Sequence, residues 1–334
     1  NGTEYNVGDA IDTGNGTLTV KADGTWTFTA GTNLDMTNPQ TANFSVKITD
    51  SDGDTTTSAH DVTITKGDGP TWVDPGTGDL GNNVAVHDEH LRGGAAESHS
   101  MKIGFTAGSD DITSFSLELG TGADAPKVFA GGVEMPLTWS KVGNDLVGYQ
   151  NGVAVVKLEL VGATTIAALT SGEVEVKATL LEPIMHGETP NTDTVTITGL
   201  QLTVTDSDGD AATAKLSVTI EDDKPVVDVL GGTSVADGET LSGTWTHDYN
   251  ADGAGSLKVV FNGTEYSLGT AIDTGKGILT VNADGTWSFK AANNLDNSVA
   301  QDVSFGVKIT DKDGDSATSS HDLSITGGDG PSWN

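Results

Sequence analysis

The sequence predicts an all-β fold in which tandem immunoglobulin-like antiparallel β-sandwich domains are arranged end to end. Three observations carry that expectation: a long segment occurs twice, one hairpin occurs three times, and apolar residues alternate with polar ones at the period of a strand. The opening stretch NGTEYNVGDAIDTGNGTLTVKADGTWTFTA, from Asn1, returns as NGTEYSLGTAIDTGKGILTVNADGTWSFKA, from Asn262. The correspondence continues without a gap to Trp72 and Trp333, with roughly two thirds of the aligned positions identical.

Between the copies lies a different body with the same ending. LTVTDSDGDAATAKLSVTI (Leu202 to Ile220) stands beside VKITDSDGDTTTSAHDVTI (Val46 to Ile64) and VKITDKDGDSATSSHDLSI (Val307 to Ile325). Three domains follow, at residues 1–69, 70–223 and 224–334, with short acidic connectors at Gly67-Asp68-Gly69-Pro70 and Asp222-Asp223-Lys224-Pro225. The first is expected to be truncated, because Val226 to Phe261 have no counterpart ahead of Asn1. It should then be poorly ordered near Asn1 or borrow strands from a neighbouring molecule. The chain is expected to be an internal piece of a longer one.

Taken in order, Leu18 to Val20, Thr25 to Phe28, Phe44 to Ile48 and Val62 to Ile64 alternate apolar with polar residues and are rich in β-branched types, as strands are. Ala22-Asp23-Gly24 and its copy Ala283-Asp284-Gly285 read as hairpin turns. Trp26 with Phe28, and Trp287 with Phe289, fall two apart on one strand face and are expected in the sandwich core. In the middle domain, Thr164 to Leu169 is expected to form one short helix or helical turn.

The 334 residues hold 16 Lys and Arg against 48 Asp and Glu, a formal charge of −32, and no cysteine. With so few bases, and Arg92 the single arginine, nucleic acid and anionic membranes are excluded as partners. No apolar run approaches the length of a membrane span, so no membrane insertion is expected. Disulfides, thiol catalysis and cysteine-based metal sites are absent with the cysteines. Catalysis is not expected either. His60-Asp61 and His321-Asp322 recur on a final strand where neighbours face opposite sides, and no nucleophile elbow, zinc helix or phosphate loop is present.

The chemistry concentrates in a recurring D-x-D-G-D: Asp50, Asp52, Asp54, then Asp206, Asp208, Asp210, then Asp311, Asp313, Asp315. Three carboxylates within five residues repel one another unless a cation joins them, and hard oxygen donors in a flexible loop select Ca2+. If the motif joins the last two strands of each sandwich, it lies at the end where the chain enters its domain. Connector acids should then complete the shell: Asp68 for the middle motif, Asp222 and Asp223 for the third. The loop between the second and third strands reaches the same end, offering Asp110 and Asp111 in the middle domain and Asp248 and Asp252 in the third. Ca2+ is therefore expected at each interdomain joint, with the first motif incomplete or weaker.

The LTV-x-ADGTW-x-F hairpin, the NNLD stretch near Asn294, the D-x-DGD turn and the acidic Pro connector resemble the tandem extender repeats of large type I-secreted RTX adhesins of Gram-negative bacteria. The first and third domains are similar to the VCBS-type or bacterial immunoglobulin-like repeat, and the middle one to a longer class in the same adhesins. That resemblance implies an extracellular, cell-surface stalk used in cell adhesion and biofilm, which projects a distal binding domain. Neighbouring repeats of the same adhesin would be its partners, with calcium stiffening the joints between them. The competing expectation is a Ca2+-dependent carbohydrate- or protein-binding module in the middle domain. That domain holds His87, Asp88, Glu89, His90 and His99, together with Arg92, Trp139 and Tyr149.

Overall fold

Branched and flat side chains fit the pleated, half-buried surface of a sheet, and the segments that carry them form strands throughout. The structure, a computed structural model, describes residues 2–78, 81–91, 94–162, 165–186, 194–296 and 298–327. Among these there are two short 3-10 turns, at Asp88–Leu91 and Gly122–Asp124, and no α-helix. Of the expected turn at Thr164 to Leu169, the first residue lies outside the described ones. Of the rest, Ile166 forms an isolated antiparallel bridge with Ile112 and is buried in the core, and Ala168 and Leu169 form a non-helical turn, with Leu169 at φ +58° and Thr170 N–H donating to Ala167 O at 3.2 Å. A tertiary contact overrides the local preference there.

The strands fall into three successive pairs of sheets. The first pair is a three-stranded sheet, Ala10–Asp12, Gly16–Val20 and Trp26–Ala30, with the two-stranded hairpin Gln40–Thr49 and Thr55–Ile64. The middle pair has two six-stranded sheets within residues 71–221, and the third has two five-stranded sheets within residues 226–326. Pairing is antiparallel except at one seam in each of the two larger pairs. There Asn82–His87 runs parallel to the last strand, with His87 opposite Glu221, and Ser234–Ala236 runs parallel to Ser324–Thr326.

Inward residues of the middle sheets make one core that includes Phe105, Leu117, Leu158, Val176, Leu202 and Val218. A second core under the third pair holds Trp287, Phe289, Phe305 and Leu279. The predicted hairpin turns form as read: Lys21 N donates to Thr25 O, and Asn282 N to Thr286 O, at 2.8 Å in each.

The repeat exposes one difference. Trp287 is 1% exposed, whereas its copy Trp26 is 40% exposed, so the expected burial of Trp26 is corrected. Both indoles stack on the same partners, Trp287 on Phe305 and His321 at 5.2 and 4.9 Å, Trp26 on Phe44 and His60 at 5.5 and 4.9 Å. What differs is the cover. Val226–Gly231 and Thr240–Asp248 extend the sheet beyond Trp287, whose Nε1 donates to Leu230 O at 2.9 Å. The sheet holding Trp26 ends at Trp26–Ala30, and only Leu18, Ala42 and Ile64 of the first pair's apolar residues are buried among those described.

Candidate metal centre

Each D-x-D-G-D joins the last two strands of its sheet pair, and the backbone closes it in the same way three times. The first Asp N–H donates to the carbonyl of the third, Asp50 to Asp54 at 3.0 Å, Asp206 to Asp210 at 2.9 Å and Asp311 to Asp315 at 3.0 Å. The intervening Gly53, Gly209 and Gly314 have φ of +99°, +94° and +114°, a region that side chains disfavour, which explains the fixed glycine. In the first two loops the third Asp N–H returns to the first carboxylate: Asp54 to Asp50 at 2.8 Å and Asp210 to Asp206 at 2.7 Å. In the third, Gly314 takes that place at 3.0 Å and Asp315 N–H turns to Asp313 at 3.4 Å.

Between the middle and third pairs, the topology converges acids from three elements. The parallel register that sets His87 opposite Glu221 carries the next residues, Asp88 and Asp222, to the same end of the sandwich. Asp252 stands two residues ahead of Ala254, which pairs with Asp311. The outcome is two overlapping sets whose oxygens lie within 4.8 Å of one another: Asp88, Asp222 and Asp252, and Asp252, Asp311 and Asp313. Asp88, Asp252, Asp311, Asp313 and Asp315 are all buried, and both carboxylate oxygens of Asp88 and Asp252 lack a hydrogen-bond partner. Burial and the Asp222 carboxylate push Asp88 up to about 9. Burial and the charges of Asp313, Asp222, Asp223 and Asp311 push Asp252 up to about 8, and burial with Asp313 raises Asp311 to about 8. Buried, unpaired carboxylates are costly. A hard dication satisfies oxygen-only donors of this kind, so the residues present fit Ca2+. Asp223 instead accepts from Ala251 N–H at 3.1 Å, and exposed Asp248 accepts from Asn250 N–H at 2.9 Å.

His186 also enters this joint. Gln150 clamps the preceding peptide, donating to Met185 O at 2.7 Å and accepting from Met185 N–H at 2.8 Å. The imidazole is fully buried, with Nε2 2.9 Å from both Asp222 Oδ2 and Asp313 Oδ2. Burial opposes its charge, but the two carboxylates prevail and push it up to about 11; the same contact and Asp311 hold Asp313 low despite its burial.

The joint between the first and middle pairs is simpler. Asp110, Asp206 and Asp208 converge within 4.8 Å, and Asp110 sits ahead of Ile112, which pairs with Asp206. Lys66, from the end of the first pair, reaches Asp210 at 2.7 Å and Asp208 at 3.5 Å. Asp68 is exposed, and its carbonyl accepts from Ser109 N–H at 3.0 Å. Asp111 turns to Asn33 and to the Ala168 N–H, at 3.1 and 2.7 Å. Asp50, Asp52 and Asp54 form a set of their own in which every member is exposed.

Asp88 and His186 are the residues that sequence reasoning left out of these sites. A parallel seam placing Asp88 beside the connector has no local signal, and His186 belongs to no motif. The histidine-rich stretch of the middle domain divides: Asp88 faces the joint, while His87 pairs with Glu221 at 2.9 Å and His99 with Glu97 at 3.0 Å. The side chains of Glu89 and His90, and all of Arg92, lie outside the described residues. Trp139 packs on the core over Gly148 and Tyr149 is half-buried on the neighbouring strand, so no open stacking platform forms from this pair.

No family model matches the chain, and no curated protein matches it. Among solved structures, mouse clustered PcdhgC3 EC1-3 is similar with a TM-score of 0.28 and 9% identity, over 86% of this chain and 77% of that one. A tetra-tandem repeat in the extending region of a large adhesion protein is similar with a TM-score of 0.24 and 15% identity, over 92% of this chain and 62% of that one. An endo-fucoidan hydrolase from glycoside hydrolase family 107 is similar with a TM-score of 0.22 and 13% identity, over 96% and 38%. At these values the likenesses bear on neither activity nor partner.

Proposed function

We propose that the chain is a structural extender segment of a bacterial cell-surface adhesin, with three domains at residues 1–69, 70–223 and 224–334 and Ca2+ held at the joints between them. It is not an enzyme on this reading. Its partners are neighbouring repeats of the same adhesin, and its setting is outside a Gram-negative cell after type I secretion. The observation that supports the reading is the buried cluster of Asp88, Asp222, Asp252, Asp311 and Asp313, contributed by both sides of one joint and its connector. A shared ion removes the bending freedom of that joint, whereas without it the like charges push the two sides apart. Asp110, Asp206 and Asp208 serve the other joint with fewer buried acids. The sequence resemblance to adhesin extender repeats supplies the cellular setting.

Small-angle scattering of the chain in calcium and in chelator tests this. The expected result is a longer, stiffer particle in calcium and a higher melting temperature, by about 2.7 kcal/mol of stability per site at a hundredfold excess over Kd. An unchanged maximum dimension together with an unchanged melting temperature would refute it.

A further inference from the structure

The joint between the middle and third sheet pairs differs from the other in the chemistry of one donor. Where the first joint brings an ammonium, Lys66, to Asp208, this one brings an imidazole, His186, to the equivalent Asp313. An ammonium cannot ligate a metal. An imidazole can, and Ca2+ makes little use of it, whereas first-row transition ions favour it.

We propose that His186, Asp222, Asp313 and Asp315 form a second cation site for a divalent transition ion of the zinc class, which shares Asp222 and Asp313 with the all-carboxylate calcium cage. The inference rests on the reading of this joint as a cation site and adds a different ion to it. His186 Nε2 stands 2.9 Å from Asp222 Oδ2 and 2.9 Å from Asp313 Oδ2. Two donors of one tetrahedral ion, each about 2.1 Å from it, stand about 3.4 Å apart, so a shift of about 0.5 Å from the ion-pair spacing seats the ion. Asp315 joins His186 and Asp313 in a set whose ligand atoms lie within 4.8 Å of one another. An independent observation points to a ligand as well. The Asp222 side chain is 0% exposed, and its Oδ1 has no hydrogen-bond partner. The site is also pre-formed. The Gln150 clamp on Met185 fixes the backbone that presents His186, in the way that supporting hydrogen bonds orient metal-binding histidines.

Zinc titrated calorimetrically into the full chain in millimolar calcium is the test. The expected result is one zinc site that His186→Gln weakens at least about tenfold, while His99→Gln leaves it unchanged. Equal zinc binding by the wild-type chain and His186→Gln overturns the proposal, as does the absence of zinc binding by the wild-type chain. The second outcome leaves the imidazole as a fixed counter-charge. Should His186→Gln fail to give a cooperative melt, Co2+ added to the wild-type chain decides: it must shift the His186 ring protons paramagnetically, and unshifted resonances overturn the proposal. Calcium titration is the separate arm. Calcium uptake without a His186-dependent zinc site sinks this inference alone, whereas a zinc site without calcium uptake sinks the calcium reading alone.

Discussion

Asp252 concentrates the electrostatic problem of the molecule in one side chain. Both of its oxygens lack hydrogen bonds, and burial, with the charges of four other carboxylates, raises it from 3.8 to about 8. In chelator, the folded chain therefore holds a proton on Asp252 that the unfolded chain releases near pH 4, and the same holds for Asp88 and Asp311. His186 acts in the same direction, since its stabilising charge is fully present below its unfolded value of 6.5 and is lost as pH rises through about 11. Each extra proton in the folded state costs about 1.4 kcal/mol of stability per pH unit as pH rises. Melting curves in chelator should thus fall steadily from about pH 5 to about pH 9. In saturating calcium the fall should shrink or reverse, because ligands bind metal deprotonated and affinity climbs with pH. Asp252→Asn should raise the melting temperature in chelator above pH 8 by removing one like charge, and should reduce the gain that calcium gives. A variant that melts lower in chelator would contradict this account of Asp252.

At the scale of elements, the two copies of the aromatic cluster form a built-in control. The strands Val226–Gly231 and Thr240–Asp248 extend the sheet of Trp287, and at Gly243 a Cβ would overlap the indole, so the cover is fitted to that ring. Trp287→Ala should cost about 3–5 kcal/mol in urea unfolding of the third pair, and Trp26→Ala less than half of that. Acrylamide should quench Trp26 far more than Trp287. Equal costs would show that the covering strands contribute nothing.

The same pair marks how far the sequence could be read. Alternation placed the strands, and the repeated Ala-Asp-Gly and Asp-x-Asp-Gly-Asp turns were legible because they close within five residues. Trp26 and Trp287 have nearly the same neighbours in sequence, yet their burial is decided by strands elsewhere in the chain. Asp88 was seen only as part of a histidine-rich stretch, because its approach to Asp222 depends on parallel pairing across more than a hundred residues. His186 depends on the clamp that Gln150 places on Met185 from 35 positions away. Asp110 and Asp252 were legible for the opposite reason, since each sits just ahead of a strand that pairs with the first Asp of a motif.

Across the whole molecule, charge and connectivity converge. A chain of −32 without cysteine gathers its buried acids at two joints, where cations can substitute for covalent staples. The two parallel seams have a further consequence. A pull applied to the two ends of the molecule enters the middle pair through Thr71–Trp72 and Asn82–His87 and leaves through the last strand, Ala211–Glu221. Because Asn82–His87 and the last strand run the same way, the load passes along them and strains their cross-strand hydrogen bonds together, in shear, rather than one after another as in unzipping. Six residue pairs share the load at the middle seam and three at the third. Single-molecule stretching should therefore show the middle pair yielding at a higher force than the third. The first hairpin, which among described residues pairs only with itself, should give way before either. The chain is graded in tensile strength, with its strongest clamp at the centre.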